Sequence, residues 1–102
     1  MYYVYMLRCQ DNSIYTGITK DIKQRMQEHF NKEKKCAKYT LTHTAQKLEI
    51  FWETETRVLA SKLEYHIKKL SKIQKEGLIK EEKNFDQFLS NKLDCNQYSR
   101  KE

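Results

Sequence analysis

The sequence predicts an α/β domain of the α+β kind: a small three-stranded antiparallel sheet flanked by helices, in the order strand, strand, helix, strand, helix, helix. Three observations predict it. Two aromatic and β-branched runs near the start flank a Gln-Asp-Asn-Ser cluster. Apolar residues recur every three or four positions over 22–30 and again over 59–70. One alternating run, 48–53, lies between those helical stretches. A chain of 102 residues supports a single core of this size.

Residues 2–9, Tyr-Tyr-Val-Tyr-Met-Leu-Arg-Cys, carry side chains that suit a pleated, half-buried surface. Gln10, Asp11, Asn12 and Ser13 are turn formers and 14–18 returns as a second strand, so the chain opens with a β-hairpin. Gly17, one of two glycines in the chain, interrupts that strand; it marks a bulge or a close approach of other atoms to the backbone. Asp21 with Gln24 three residues on has the pattern of a capping box, and Ile22, Met26 and Phe30 fall on the core face of the helix it starts. Arg25 and His29, four apart, share a neighbouring face one turn above the other.

Residues 34–46 are polar and without period, which predicts a loop with a short helical turn around 37–41. Leu48, Ile50 and Trp52 then alternate with Glu49, Phe51 and Glu53 to give the third strand. Leu59, Leu63, Ile67 and Leu70 are the apolar stripe of a second long helix, and Glu64 lies about 100° round from Leu63, at the border of that stripe. Ser71 and Gln74 repeat the capping-box pattern and start a third helix, weakened by Gly77 by roughly 1 kcal/mol. The charged stretch after it reads as a connector, so the domain is expected to span 1–82. Phe85, Phe88 and Leu89 have helical spacing, and the tail 83–102 is expected to be a short amphipathic helix followed by a disordered end.

Twenty Lys and Arg stand against fourteen Asp and Glu, a formal charge of +6 that favours polyanion partners. The excess sits in two blocks: seven basic against three acidic residues over 20–38, and five against one over 66–80. On one side of the fold these blocks track phosphates; on separate faces they only solvate the surface. Cys9, Cys36 and Cys95 are widely spaced and odd in number, giving neither a disulfide framework nor a zinc half-site. The apolar runs fall far short of the ~20 residues that cross a bilayer, and Met1 leads directly into Tyr2-Tyr3. A cytoplasmic protein without a membrane partner, monomeric or weakly dimeric, is the expectation.

The ordered motifs resemble the GIY-YIG nuclease superfamily. Tyr3-Val4-Tyr5 occupies the first motif, and Tyr15-Thr16-Gly17, ten residues on, the second. Arg25 falls at the family's arginine position and Glu64 at that of its metal-binding glutamate. The small stand-alone bacterial proteins of the superfamily have a pattern similar to Tyr-Val-Tyr-Met-Leu, Tyr-Thr-Gly-Ile-Thr, Arg-x-x-x-His, Ala-Lys-Tyr-Thr and Ile-Lys-x-Leu, seen here at 3–7, 15–19, 25–29, 37–40 and 67–70. The resemblance covers about residues 1–80. Tyr3 replaces the name-giving glycine, Thr16 replaces the isoleucine of the second motif, and Ile18 stands where the related repair nuclease domain has a lysine.

The resemblance implies a divalent-metal-dependent DNA endonuclease, acting in repair or recombination. Cutting a phosphodiester needs an activated water, charge neutralisation on the non-bridging oxygens and stabilisation of the leaving oxygen. Glu64 would hold Mg²⁺ or Mn²⁺, and one carboxylate suffices for a metal that keeps several waters. Arg25 would clamp the scissile phosphate through its planar fork. Tyr5 is implied as general base, with Tyr15 as an orienting hydroxyl or the alternative base, and His29 as a hydrogen-bond partner of a phosphate or of the base. Lys20, Lys23, Lys38, Tyr39 and Lys68 are the candidate nucleic-acid contacts, Tyr39 through base stacking or else only through local packing. The residue types alone leave Tyr5 and Tyr15 equally readable as strand aromatics packed across a hairpin. Two other functions stay open: a nucleic-acid-binding domain that no longer cuts, motivated by Ile18, and a protein-interaction module using Phe85 and Phe88.

Overall fold

A computed structural model describes residues 1–32 and 37–101. Cys36, part of the expected 34–46 loop, lies outside the described residues. The chain is α+β, with one antiparallel sheet of four strands: β1 (Tyr2–Cys9), β2 (Ile14–Thr19), β3 (Ala45–Thr54) and β4 (Ser99–Lys101), in the spatial order β2-β1-β3-β4. Five helices accompany it: α1 (Ile22–Phe30), α2 (Lys38–Thr42), α3 (Arg57–Lys68), α4 (Lys72–Lys80) and α5 (Lys83–Leu89).

The expected sheet of three strands is therefore corrected to four; α2 stands where a short helical turn is expected and α5 where a short amphipathic helix is expected, both outside the expected six-element order. The fourth strand comes from the segment expected to lack structure. It is only three residues long, too short for a periodic pattern, and it forms because β3 offers an unpaired edge: Phe51, Trp52 and Glu53 pair with Lys101, Arg100 and Ser99. Side chains hold it there. Thr54 Oγ1 donates to Gln97 O at 2.8 Å, and Tyr98 Oη donates to Leu59 O at 2.7 Å. Arg100 donates to Leu78 O and Ile79 O, both at 2.7 Å, satisfying carbonyls at the end of α4 that have no partner within the helix.

The sheet separates two apolar clusters. On one face Val4, Met6, Ile50 and Trp52 pack with Ala60, Leu63 and Ile67 of α3, Leu78 of α4, and Phe85, Leu89, Leu93 and Tyr98. Phe85 is buried, 5.4 Å from the Trp52 ring and 6.0 Å from that of Tyr98, so it is core and not a surface for a partner. On the other face Tyr5, Leu7 and Ala45 pack with Met26 of α1.

Two apolar patterns divide differently from expectation. Leu48 does not share a face with Ile50 and Trp52: Met6 pairs with Ile50 and Leu7 with Leu48, so Glu49 is an extra residue in β3 and the alternation flips across it. Leu48 joins the Tyr5 cluster, while Glu49 accepts from Arg8 Nε at 2.9 Å. In α1, Met26 is buried but Phe30 is 42% exposed; the helix turns Glu28 and His29 inward instead. The Asp21 side chain caps α1 by accepting from Gln24 N at 3.1 Å, and Ser71 with Gln74 forms the full capping box of α4. Among the described residues no helix is long and apolar enough to cross a membrane.

Candidate active site

Tyr5 lies in the central strand β1 opposite Gly17 of β2, and α1 crosses that face. A Cβ built on Gly17 would stand 2.4 Å from Tyr5 Oη and 2.9 Å from a ring carbon of Tyr15. No real side chain tolerates such distances, so the close approach read from the sequence is the reason for glycine here. It lets two tyrosines share one spot, their ring centroids 6.1 Å apart.

Tyr5 Oη and His29 Nε2 are 2.8 Å apart, and His29 Nδ1 lies 2.8 Å from Thr40 Oγ1. Tyr5, His29 and Thr40 are each fully buried. Thr40 in turn donates to Ala37 O at 3.0 Å. On its other side the Arg25 guanidinium lies near enough to the Tyr5 hydroxyl to act on it. Burial raises the Tyr5 hydroxyl well above the ordinary phenol range, and Arg25 pulls it partly back. His29 is lowered to about 4, first by burial and then by the Arg25 cation, with Glu28 opposing, so it is neutral at pH 7.

Arg25 also pairs with Glu28, Nη1 to Oε1 at 2.6 Å. These two side chains border an open depression with Ile18, Lys20 and Gln24. Ile18 thus sits beside the arginine, where it offers no charge. Glu64 comes from α3, which packs on the other layer against β1 and β2. Its carboxylate is one-quarter exposed, 3.2 Å from Lys68 Nζ, and close enough to Tyr5 to act on that hydroxyl electrostatically. Lys68 Nζ is 5.9 Å from the Tyr15 ring centroid.

Five expected residues are thus brought together: Tyr5 and His29 in one hydrogen bond with the Arg25 cation near the tyrosine, Tyr15 against the His29 ring at 5.6 Å, and Glu64 beside them through Lys68. Tyr39 lies between Tyr15, stacked at 5.6 Å, and His43, stacked at 4.1 Å. Lys20 lines the depression with its ammonium 5.3 Å from the Tyr2 ring, and Lys23 and Lys38 are exposed on α1 and α2. Two residues that the sequence reading did not single out belong to the site. Glu28 occupies Arg25, and its i,i+3 spacing from the arginine was the available signal. Thr40 orients His29 and sits in the Ala37-Lys38-Tyr39-Thr40 motif.

Among the described residues no three His, Cys, Asp or Glu side chains converge to form a ready metal cage. A single partly exposed carboxylate, Glu64, fits a cation that keeps most of its water shell, once Lys68 releases it.

The family model described as the GIY-YIG catalytic domain matches residues 1–85. A UPF0213 protein of Fusobacterium nucleatum is 43% identical over 90 residues, 88% of each chain. The UPF0213 protein YhbQ of Salmonella typhimurium is 38% identical over 89 residues, 87% of each chain. The solution NMR structure of a UPF0213 protein from Bacillus halodurans is similar with a TM-score of 0.51 and 37% identity, covering 78% of this chain and 84% of that one.

Proposed function

The chain belongs to the GIY-YIG family, and on that premise we propose that it is a divalent-metal-dependent endonuclease hydrolysing phosphodiester bonds in DNA. The observation that carries this reading is the buried Tyr5–His29 hydrogen bond closed around Gly17, with the Arg25 cation beside the tyrosine and Glu64 at its edge. A hydrogen-bonded tyrosine between a cation and a neutral imidazole is costly to build for packing alone.

Arg25 binds the scissile phosphate at the depression it shares with Lys20, exchanging Glu28 for the substrate oxygen. Tyr5 takes the proton of the attacking water, and Tyr15 orients that water from the neighbouring strand. Glu64 would hold Mg²⁺ or Mn²⁺, which would supply Lewis-acid stabilisation of the leaving oxygen. Lys20 and Lys68 flank the site and track the adjoining phosphates; Lys23 and Lys38 extend that contact outward.

A second reading, binding without cutting, is favoured by the ion pairs Arg25–Glu28 and Lys68–Glu64, which compensate both functional charges within the protein. Cleavage of single-stranded, duplex and branched DNA with Mg²⁺, Mn²⁺ or chelator separates the two. The nuclease reading expects metal-dependent cutting that Glu64→Ala removes; intact binding with no cutting of any substrate selects the second reading.

A further inference from the structure

We propose that Thr40 is a positioning residue that fixes His29 in its Nδ1–H tautomer, so that Nε2 is left to receive the Tyr5 proton. The sense of the hydrogen-bonded chain is set at its far end from Tyr5, whose oxygen has the Arg25 cation nearby. The carbonyl of Ala37 can only accept, and it meets Thr40 Oγ1 at 3.0 Å. Thr40 has one hydroxyl proton, spent on Ala37, so it accepts from His29 at 2.8 Å and Nδ1 carries the hydrogen. Nε2 is then a lone pair, and Tyr5 donates to it at 2.8 Å. Every link runs in the same sense from Tyr5 to Ala37.

Burial makes that sense binding. Tyr5, His29 and Thr40 have no exposed surface, so no bulk water competes for the vacant positions on either ring nitrogen. Helix α2 is only five residues long and has no side-chain cap; both the backbone N–H and the hydroxyl of Thr40 turn to Ala37 O, which sets the hydroxyl beneath the imidazole. The groups facing the imidazole are Tyr5, Tyr15, Arg25, Glu28 and Thr40.

This inference rests on the nuclease reading for its chemical consequence. As the water O–H bond breaks, its proton passes to Tyr5 Oη and its oxygen pair forms the bond to phosphorus. The proton already on Tyr5 crosses to Nε2, leaving an imidazolium. The leaving oxygen departs with the P–O electron pair, and return of the proton from His29 through Tyr5 neutralises it. A phosphate on Arg25 offsets the cation that opposes charge on His29, so substrate binding and proton acceptance are coupled.

The test is nitrogen NMR of the full chain labelled at histidine, for wild type, Thr40→Val and Thr40→Ser, with cleavage kinetics on the same samples. His29 should carry its hydrogen on Nδ1 in wild type and Thr40→Ser, and lose that preference in Thr40→Val. Thr40→Val should lower kcat by about 10- to 100-fold with KM little changed, and Thr40→Ser should restore it. An Nε2–H tautomer in wild type overturns the proposal, as does a Thr40→Val protein that keeps both Nδ1–H and full turnover. The Nδ1–H pattern in a wild type that cuts no DNA supports the Thr40 assignment while failing the nuclease reading; cutting with Nε2–H does the reverse.

Discussion

His29 is a base held neutral in an apolar setting, and its titration has a sign that can be worked out. Its value in the fold is about 4, against 6.5 for the free side chain. The unfolded chain therefore binds the extra proton first, and stability is full above pH 6.5 and falls as pH drops toward 4, by about 1 kcal/mol per pH unit. Chemical denaturation across that window should show the slope in wild type and a flatter line in His29→Gln. The carboxylates Asp11 and Glu76, held under the ordinary range by hydrogen bonds, add their own loss of stability only at the acid end of that window, where unfolded carboxylates begin to protonate, and the His29→Gln protein retains that part. Thr16 poses the opposite case. Its hydroxyl is buried and has no hydrogen-bond partner, at a motif position where the family carries isoleucine. Thr16→Val should raise stability by about 1 kcal/mol, read as a shift of the denaturation midpoint at constant slope. Tyr5, Tyr15, Arg25, His29 and Glu64 were legible as candidates because they stand in an ordered motif set. Glu28 and Thr40 were not singled out, although Thr40 stands in one of those motifs and Glu28 lies three residues from Arg25, because nothing in the sequence shows that these polar side chains face inward.

At the scale of elements, local pattern gave the hairpin, α1, α3 and the capping box of α4, since each depends on neighbours in sequence. What it could not give depends on partners distant in the chain. The register slip at Glu49 is visible only when β1 lies beside β3, where Arg8 reaches Glu49 and Glu76 together. Strand β4 exists only because β3 has a free edge and α4 ends within reach of Arg100. Arg100→Ala removes two charge-assisted bonds to carbonyls with no other helical partner, and should cost about 2 kcal/mol by equilibrium denaturation with the site geometry intact. Gly17→Ala should act on the site itself. Its Cβ would meet Tyr5 Oη and Tyr15, so one ring must move, and a loss of turnover larger than the loss of stability is expected. Equal losses in the two measurements would instead make Gly17 a packing residue.

Over the whole molecule the charge excess of +6 is spread over two blocks, and the ion pairs at Arg8, Arg25 and Lys68 absorb part of it. The exposed remainder supports a modest, sequence-independent hold on phosphates. If about three phosphates are neutralised, affinity for DNA should fall with a log–log salt slope near −3. A flat salt response would remove the polyanion partner. Cutting asks more of the site than binding: on the proposed function, the Tyr5 hydroxyl, beside Arg25 and His29, is the group at which the attacking water loses its proton. Single-turnover cleavage by Tyr5→Phe in Mg²⁺, beside DNA binding by the same protein, tests it most directly, since the substitution removes one oxygen and keeps the ring. The account predicts a loss of at least about 100-fold in the cleavage step with binding unchanged; cleavage at the wild-type rate would contradict it.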